Sequence, residues 1–191
     1  KIVKAKGYGF TDKSCRTPVT AETLFQAGSI SKAVAAVGAL RLVQEGRLSL
    51  DTDINAYLHG WKVPETEVTK QQKVTLRRIL SHTAGFTVHG FLGYKTNEPV
   101  PTVPQILDGA RPANNQAIRV TIVPGSKWKY SGGGYTVMQQ MIMEITERSF
   151  PEFMSDTVLK PLGMTSSTYE QPLPQSMAGS AASGYLANGK A

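Results

Sequence analysis

Gly28-Ser29-Ile30-Ser31-Lys32 stands at the mouth of a long apolar run, Ala33 to Gln44. The run reads as a helix, because Val34, Val37, Ala39, Leu40 and Val43 recur at helical spacing and Gly46 offers a stop. Lys32 follows Ser29 by three residues. A helical turn takes about 3.6 residues, so the two side chains share a face. A hydroxyl at a helix N-terminus beside an amine is the beginning of a nucleophile: the amine helps move the proton, and the exposed N–H groups favour developing negative charge. The same residues also admit a plainer reading, in which Ser29 is an N-cap and Lys32 a solvated first-turn lysine.

Composition narrows the field. The 191 residues suffice for one sizeable domain or two small ones. No apolar run reaches the roughly 18 residues of a membrane span. The net charge of +7 raises the question of nucleic acid. The excess is concentrated at Lys1, Lys4, Lys6, Lys13 and Arg16, with no basic block and no nucleic-acid motif, so no nucleic-acid partner is expected. Cys15 is the only cysteine and can form no internal disulfide. His59, His82 and His89 have no metal-ligand spacing, and no metal or other cofactor is expected.

Along the chain, residues 1–12 show strand-like spacing around Ile2, Val3, Tyr8 and Phe10, interrupted by Gly7 and Gly9. A short helix is predicted at Asp53 to Leu58, then polar loop from His59 to Lys73. Thr75 reads as the N-cap of a helix over Leu76 to His82, ended by Gly85; His82, at that helix end, is expected to hydrogen-bond backbone. Further helices are predicted over Val103 to Ala110, Tyr135 to Arg148 and Pro151 to Lys160, with an extended piece at Ile118 to Val123. Met138 and Met141 read as core filler. Ser183 to Ala187 reads as a strand and Asn188-Gly189 as a hairpin turn. With the return strand only begun, the expectation is a fragment or one half of a split protein.

Tyr130 precedes Ser131 and three consecutive glycines, Gly132 to Gly134, which read as a loop that lets a backbone or ligand approach closely. A phenol on such a loop could face Ser29 and Lys32, or it could simply be a boundary aromatic.

Four ordered segments resemble those of the penicillin-recognising serine hydrolases, nearest the branch of class C β-lactamases, D-alanyl-D-alanine carboxypeptidases and related esterases. They are Thr23 to Lys32, with its Ser-x-x-Lys; Val74 to Gly85; Pro124 to Tyr135; and Lys160 to Met164. The resemblance implies an α+β, β-lactamase-like fold: an antiparallel sheet flanked by helices, with a mainly helical domain inserted. Residues 1–57 would supply the first strands and the serine helix, 58–170 the helical domain, and 171–191 the return to the sheet, without the sheet's C-terminal strands. It leans to the bacterial periplasm or cell envelope, although the residues fix no compartment.

The implied activity is acyl transfer through an ester of Ser29, on an amide, β-lactam or ester of a small molecule or peptide. Unassisted, a lysine near 10.4 and a tyrosine near 10 are both poor bases at neutrality. Together in a partly dry cleft they help each other, since the cation favours tyrosinate. Tyr130 is assigned as the general base and Lys32 as its electrostatic partner and proton relay. Ser131 and Gly132 are expected to contact substrate. The family's second motif is usually Tyr-x-Asn, so Gly132 lacks the amide that would touch an acyl side chain. That departure keeps a second reading open, a weakly active or inactive penicillin-binding or sensor protein. The third motif, a Lys or His two residues before a Gly, has no counterpart. Half of the oxyanion hole is therefore expected from a C-terminal complement acting as a second chain.

Overall fold

The computed structural model describes residues 2–95, 98–185 and 189. Seven α-helices order the described chain: α1 (Ser31–Gln44), α2 (Glu67–Gln71), α3 (Leu76–Leu80), α4 (Val103–Asp108), α5 (Gly132–Thr146), α6 (Phe150–Met154) and α7 (Gln175–Ala178). None of them is long and apolar enough to cross a membrane.

The core is built around α5. Its Val137, Met138, Met141 and Ile142 are fully buried, at one turn's spacing, so they line a single face. Burying each such side chain contributes about 1.5–3 kcal/mol. Against this face pack Leu76 and Ile79 of α3, Leu107 of α4, and Phe150, Phe153 and Met154 at α6.

Helix α1 buries a different face from the one its larger aliphatics mark in the sequence. Ala35, Gly38, Ala39 and Leu42 of α1 are buried, while Val37 and Leu40 remain about half exposed. The reason is close approach. A methyl on Gly38 would lie 2.7 Å from Met154 Sδ and 3.0 Å from Phe153 Cε1. Small residues, not the larger aliphatics, admit α6 to this face. The carbonyl of Ser31 also accepts the Tyr169 phenol at 2.6 Å, tying the start of α1 to the chain beyond α6.

Capping explains most boundaries. Thr75 accepts the Arg78 N–H and starts α3, and Gly109, with φ of 63°, ends α4. Helix α2 lies where a loop was expected. Thr66 and Thr69 form its reciprocal cap, without the Glu or Gln that usually signals one. The helix predicted over Pro151 to Lys160 is α6 followed by a wider π-helical turn, Ser155–Leu159.

The expected sheet is not formed among the described residues. Only isolated bridges occur, joining Phe10 to Pro18, Leu24 to Ala181, Asp53 to Thr75 and Phe86 to Val120. Near the N-terminus the chain folds on itself instead. Val19 N–H donates to the Gly9 carbonyl and Thr11 N–H to Thr17, and Gly9 turns at a φ of 74°. Gly7 lies so near Val19 that any side chain would strike its carbonyl. Ile2 and Val3 are more than four-fifths exposed, without the packed neighbours that stabilise a strand. The chain does return at its far end: Ala182 N–H donates to Leu24 and Ser183 N–H to Thr11. The strand and hairpin expected at 183–191 fall largely on residues 186–188 and 190–191, outside the described residues.

Candidate active site

A one-turn 3-10 helix, Gly28–Ile30, feeds directly into α1. Gly28 begins it at a φ of 52°, a conformation that favours glycine. Neither this turn nor α1 carries a side-chain cap. The Ser29 hydroxyl is engaged elsewhere. Its Oγ accepts Lys32 Nζ at 3.0 Å and Tyr130 Oη at 2.7 Å. The three groups, up to 101 residues apart in sequence, thus meet on one oxygen. Ser29 itself is exposed, open to a reactant, while Lys32 and Tyr130 are half-buried.

Tyr130 lies in the extended run that ends at α5. Its ring stacks on two imidazoles, with centroids 4.4 Å from His82 and 4.7 Å from His89. Lys32 Nζ is 5.1 Å from its centroid and 5.8 Å from that of Tyr135. The Lys32 ammonium and the hydrogen bond with Ser29 hold the Tyr130 phenol below its ordinary pKa, against a smaller opposing effect of burial. Burial, with a smaller contribution from Tyr130, pushes the neighbouring Tyr135 phenol up. The two neighbouring phenols are therefore driven apart, and Tyr130 is the one that ionises more readily.

His82 closes α3 at a φ of 56°. Its Nδ1 accepts the N–H of Ser131 at 3.2 Å, the backbone bond expected from its place at a helix end. Burial lowers its pKa first, then the charge of Lys32 and then His89.

The two residues expected to contact substrate are both engaged in packing and capping contacts. Ser131 is the N-cap of α5: its Oγ accepts Gly134 N–H at 3.1 Å and donates to the Thr87 carbonyl at 2.7 Å. It is only 4% exposed, so its hydroxyl is unavailable to a ligand. Gly132 is buried, and its N–H donates to the His89 carbonyl at 2.9 Å. A Cβ there would meet His89 O at 3.1 Å and Phe91 Cε2 at 3.3 Å. The segment around His89 to Phe91 thus lies where an asparagine side chain would begin.

The three glycines are accordingly the first turn of α5 and not a loop. Their lack of side chains admits the 86–91 segment: a methyl on Gly133 would sit 2.9 Å from Thr87 O, and one on Gly134 would sit 3.1 Å from Phe86 Cδ2. Sequence reasoning missed His89 as a neighbour of the phenol. Its only local signal was an imidazole seven residues after His82.

A serine, lysine and tyrosine converging on one exposed hydroxyl, with the serine at the head of a helix, define a serine-hydrolase type of scaffold. The family model described as Beta-lactamase matches residues 1–190, and the chain belongs to that family. Among curated relatives, Protein flp of Staphylococcus aureus (strain N315) is 25% identical over 180 residues, 90% of this chain and 33% of its own length. Among solved structures, the octameric penicillin-binding protein homologue from Pyrococcus abyssi superposes with a TM-score of 0.75 at 27% identity, covering 100% of this chain and 43% of that one. The D-amino acid amidase from Ochrobactrum anthropi SV3 gives a TM-score of 0.71 at 26% identity, covering 93% of this chain and 47% of that one. The β-lactamase-like fold is thereby established, and the chain spans about a third to a half of the length of these relatives.

Proposed function

We propose that the protein is a serine hydrolase that works through an acyl-enzyme on Ser29, with Tyr130 as general base and Lys32 as its electrostatic partner. The observation that carries this reading is the meeting of Lys32 Nζ and Tyr130 Oη on Ser29 Oγ, at 3.0 and 2.7 Å. While the phenol is neutral it donates to Ser29. Once ionised, favoured by the lysine cation, it accepts the serine proton along the same short line. The Ser29 oxygen then attacks a carbonyl carbon, and the resulting tetrahedral oxyanion is met by the Ser29 backbone N–H. Tyr130 returns its proton to the departing amine or alcohol, leaving an ester on Ser29, and water cleaves that ester by the same relay.

The substrate class is an amide, β-lactam or ester. The amidase and penicillin-binding neighbours support that breadth and do not narrow it. The absence of a side chain at Gly132, with the His89 to Phe91 segment packed over it, favours a second reading: a penicillin binder that acylates and releases slowly.

The remaining oxyanion donor is assigned to a complement, polypeptide corresponding to the length of the relatives that this chain does not cover. Ile30 in the turn before α1, and Val37 and Leu40 on α1, are exposed apolar side chains, at 73%, 48% and 45%, and they support a covering partner. On this reading the helical region of residues 58–170 forms one wall of the cleft, and residues 1–57 with 171–191 join the complement in the other.

The test is covalent. A fluorophosphonate and a labelled penicillin are each incubated with the chain, with and without the complement, and the adduct is located by mass spectrometry. An adduct on Ser29 that forms with the complement and turns over supports a hydrolase. One that persists supports the binder. No adduct at Ser29 under either condition refutes both.

A further inference from the structure

His82 touches the candidate base from more directions than a helix-end histidine needs to. Its carbonyl accepts the N–H of Lys129 at 2.8 Å, and its Nδ1 accepts the N–H of Ser131 at 3.2 Å. These are the residues immediately before and after Tyr130. Its ring then lies 4.4 Å from the Tyr130 ring, tilted by 33°. One residue therefore grips the backbone on both sides of the phenol and one of its ring contacts as well. The geometry points to His82 as the positioning residue of Tyr130, a clamp that keeps Oη on Ser29 Oγ only while Nδ1 is free to accept. The inference rests on the acyl-enzyme reading for its consequence in catalysis, but the clamp itself is a structural claim.

Protonation decides whether the clamp holds. An imidazole whose Nδ1 accepts a hydrogen bond carries its single proton on Nε2. A second proton must go to Nδ1, where it faces the Ser131 N–H and the bond is lost. The charged and titratable groups facing the His82 ring are Lys32 from α1, His89 from the segment after α3, Tyr130 itself, and Tyr135 from α5. Burial first, then Lys32 and His89, disfavour the imidazolium, which favours the closed clamp at neutral pH. Opening is therefore moved toward acid relative to an ordinary histidine. His89 stacks on the same phenol at 4.7 Å but is exposed and lies outside this backbone grip.

The backbone of His82, at a φ of 56°, accepts glycine or asparagine without strain. His82→Gly removes ring and acceptor together, whereas His82→Asn keeps an acceptor and cannot titrate. Each variant is labelled with [13Cζ]tyrosine, and the Tyr130 signal is assigned by its loss in Tyr130→Phe. The phenol is titrated by NMR, and the Ser29 fluorophosphonate rate is measured under the conditions that label the wild type. Expected are a Tyr130 titration in His82→Gly moved up toward the ordinary tyrosine value, a labelling rate about tenfold to a hundredfold slower, and recovery of most of both in His82→Asn. A His82→Gly protein with wild-type titration and wild-type labelling overturns the proposal. Should His82→Gly not fold, the wild type decides. As His82 gains its proton the Ser131 amide shift must move and the labelling rate must fall more steeply than protonation of Tyr130 alone makes it fall, and a rate that keeps the single Tyr130 slope through that titration overturns it. A wild type that never labels refutes the Ser29 reading alone, because the phenol titration still tests the clamp.

Discussion

Replacing Gly133 by alanine tests whether the glycine run exists for packing. A methyl at 133 would lie 2.9 Å from the Thr87 carbonyl oxygen and 3.0 Å from Ile118 Cγ2. Neither neighbour can retreat cheaply. Thr87 is held through its N–H to Arg119 and its carbonyl to the Ser131 hydroxyl, and Ile118 is fully buried with its N–H on Leu107. Overpacking of this kind costs about 1–3 kcal/mol. Against it stands the helix propensity of alanine over glycine, at most about 1 kcal/mol and less in a first turn. The net expectation is a destabilisation of about 1.5 kcal/mol, and at about 2–4 °C per kcal/mol the midpoint falls by about 3–6 °C. Gly179→Ala is the control: it meets nothing within 4 Å at an ordinary φ of −66°, and should leave stability unchanged or raise it by under about 1 kcal/mol. Thermal and urea unfolding followed by circular dichroism compare the two. If Gly133→Ala is as stable as the wild type, or more stable than Gly179→Ala, close approach is not what the glycine serves.

Tyr130→Phe keeps the ring contacts with His82 and His89 but loses the oxygen 2.7 Å from Ser29, so Ser29 labelling should slow by about 10²–10⁴-fold with the circular dichroism spectrum intact. Because the base acts deprotonated and its phenol lies below the ordinary value, the wild-type acylation rate should rise with pH through that lowered ionisation and level off above it; a rate that declines over the same interval contradicts the assignment. Gly132→Asn forces its Cβ against His89 O and Phe91 Cε2, at 3.1 and 3.3 Å, and should cost about 1–2 kcal/mol and shift the NMR signals of the His89 ring; a variant with unperturbed His89 signals would show that the segment yields freely. The Tyr169 phenol, half-buried and donating to Ser31, is pushed up to about 12 by its burial. A raised pKa favours the neutral form in the fold. Its stabilisation is therefore whole below the unfolded value near 10 and is lost as pH climbs toward 12. Alkaline unfolding should be steeper over that interval in the wild type than in Tyr169→Phe, and identical curves would refute this.

What the sequence determined by itself was local. The spacing of Ser29 and Lys32 puts them on one helical face, because that depends only on the rise and turn of a helix. Thr75 starts α3 through a bond to a residue three further on, and the apolar face of α5 follows from a repeat of three and four. The order of four segments was enough to point to the family, since it too is a property of the chain read in line. The tertiary structure decided whatever depends on what comes near. Gly132 to Gly134 look like a loop until the 86–91 segment is laid against them, after which only a side-chain-free helix start fits. Ser131 looks free to meet substrate until its hydroxyl is found bonded to Thr87 and Gly134. Gly38 turns the small-residue face of α1 inward because Met154 and Phe153, more than a hundred residues away, occupy the space. The strand-like spacing at the N-terminus forms no sheet among the described residues, because a strand is stabilised by partners that alternation alone does not supply. The meeting of serine, lysine and tyrosine belongs to both: the sequence contained the groups, and only folding closed the distance between positions 29 and 130.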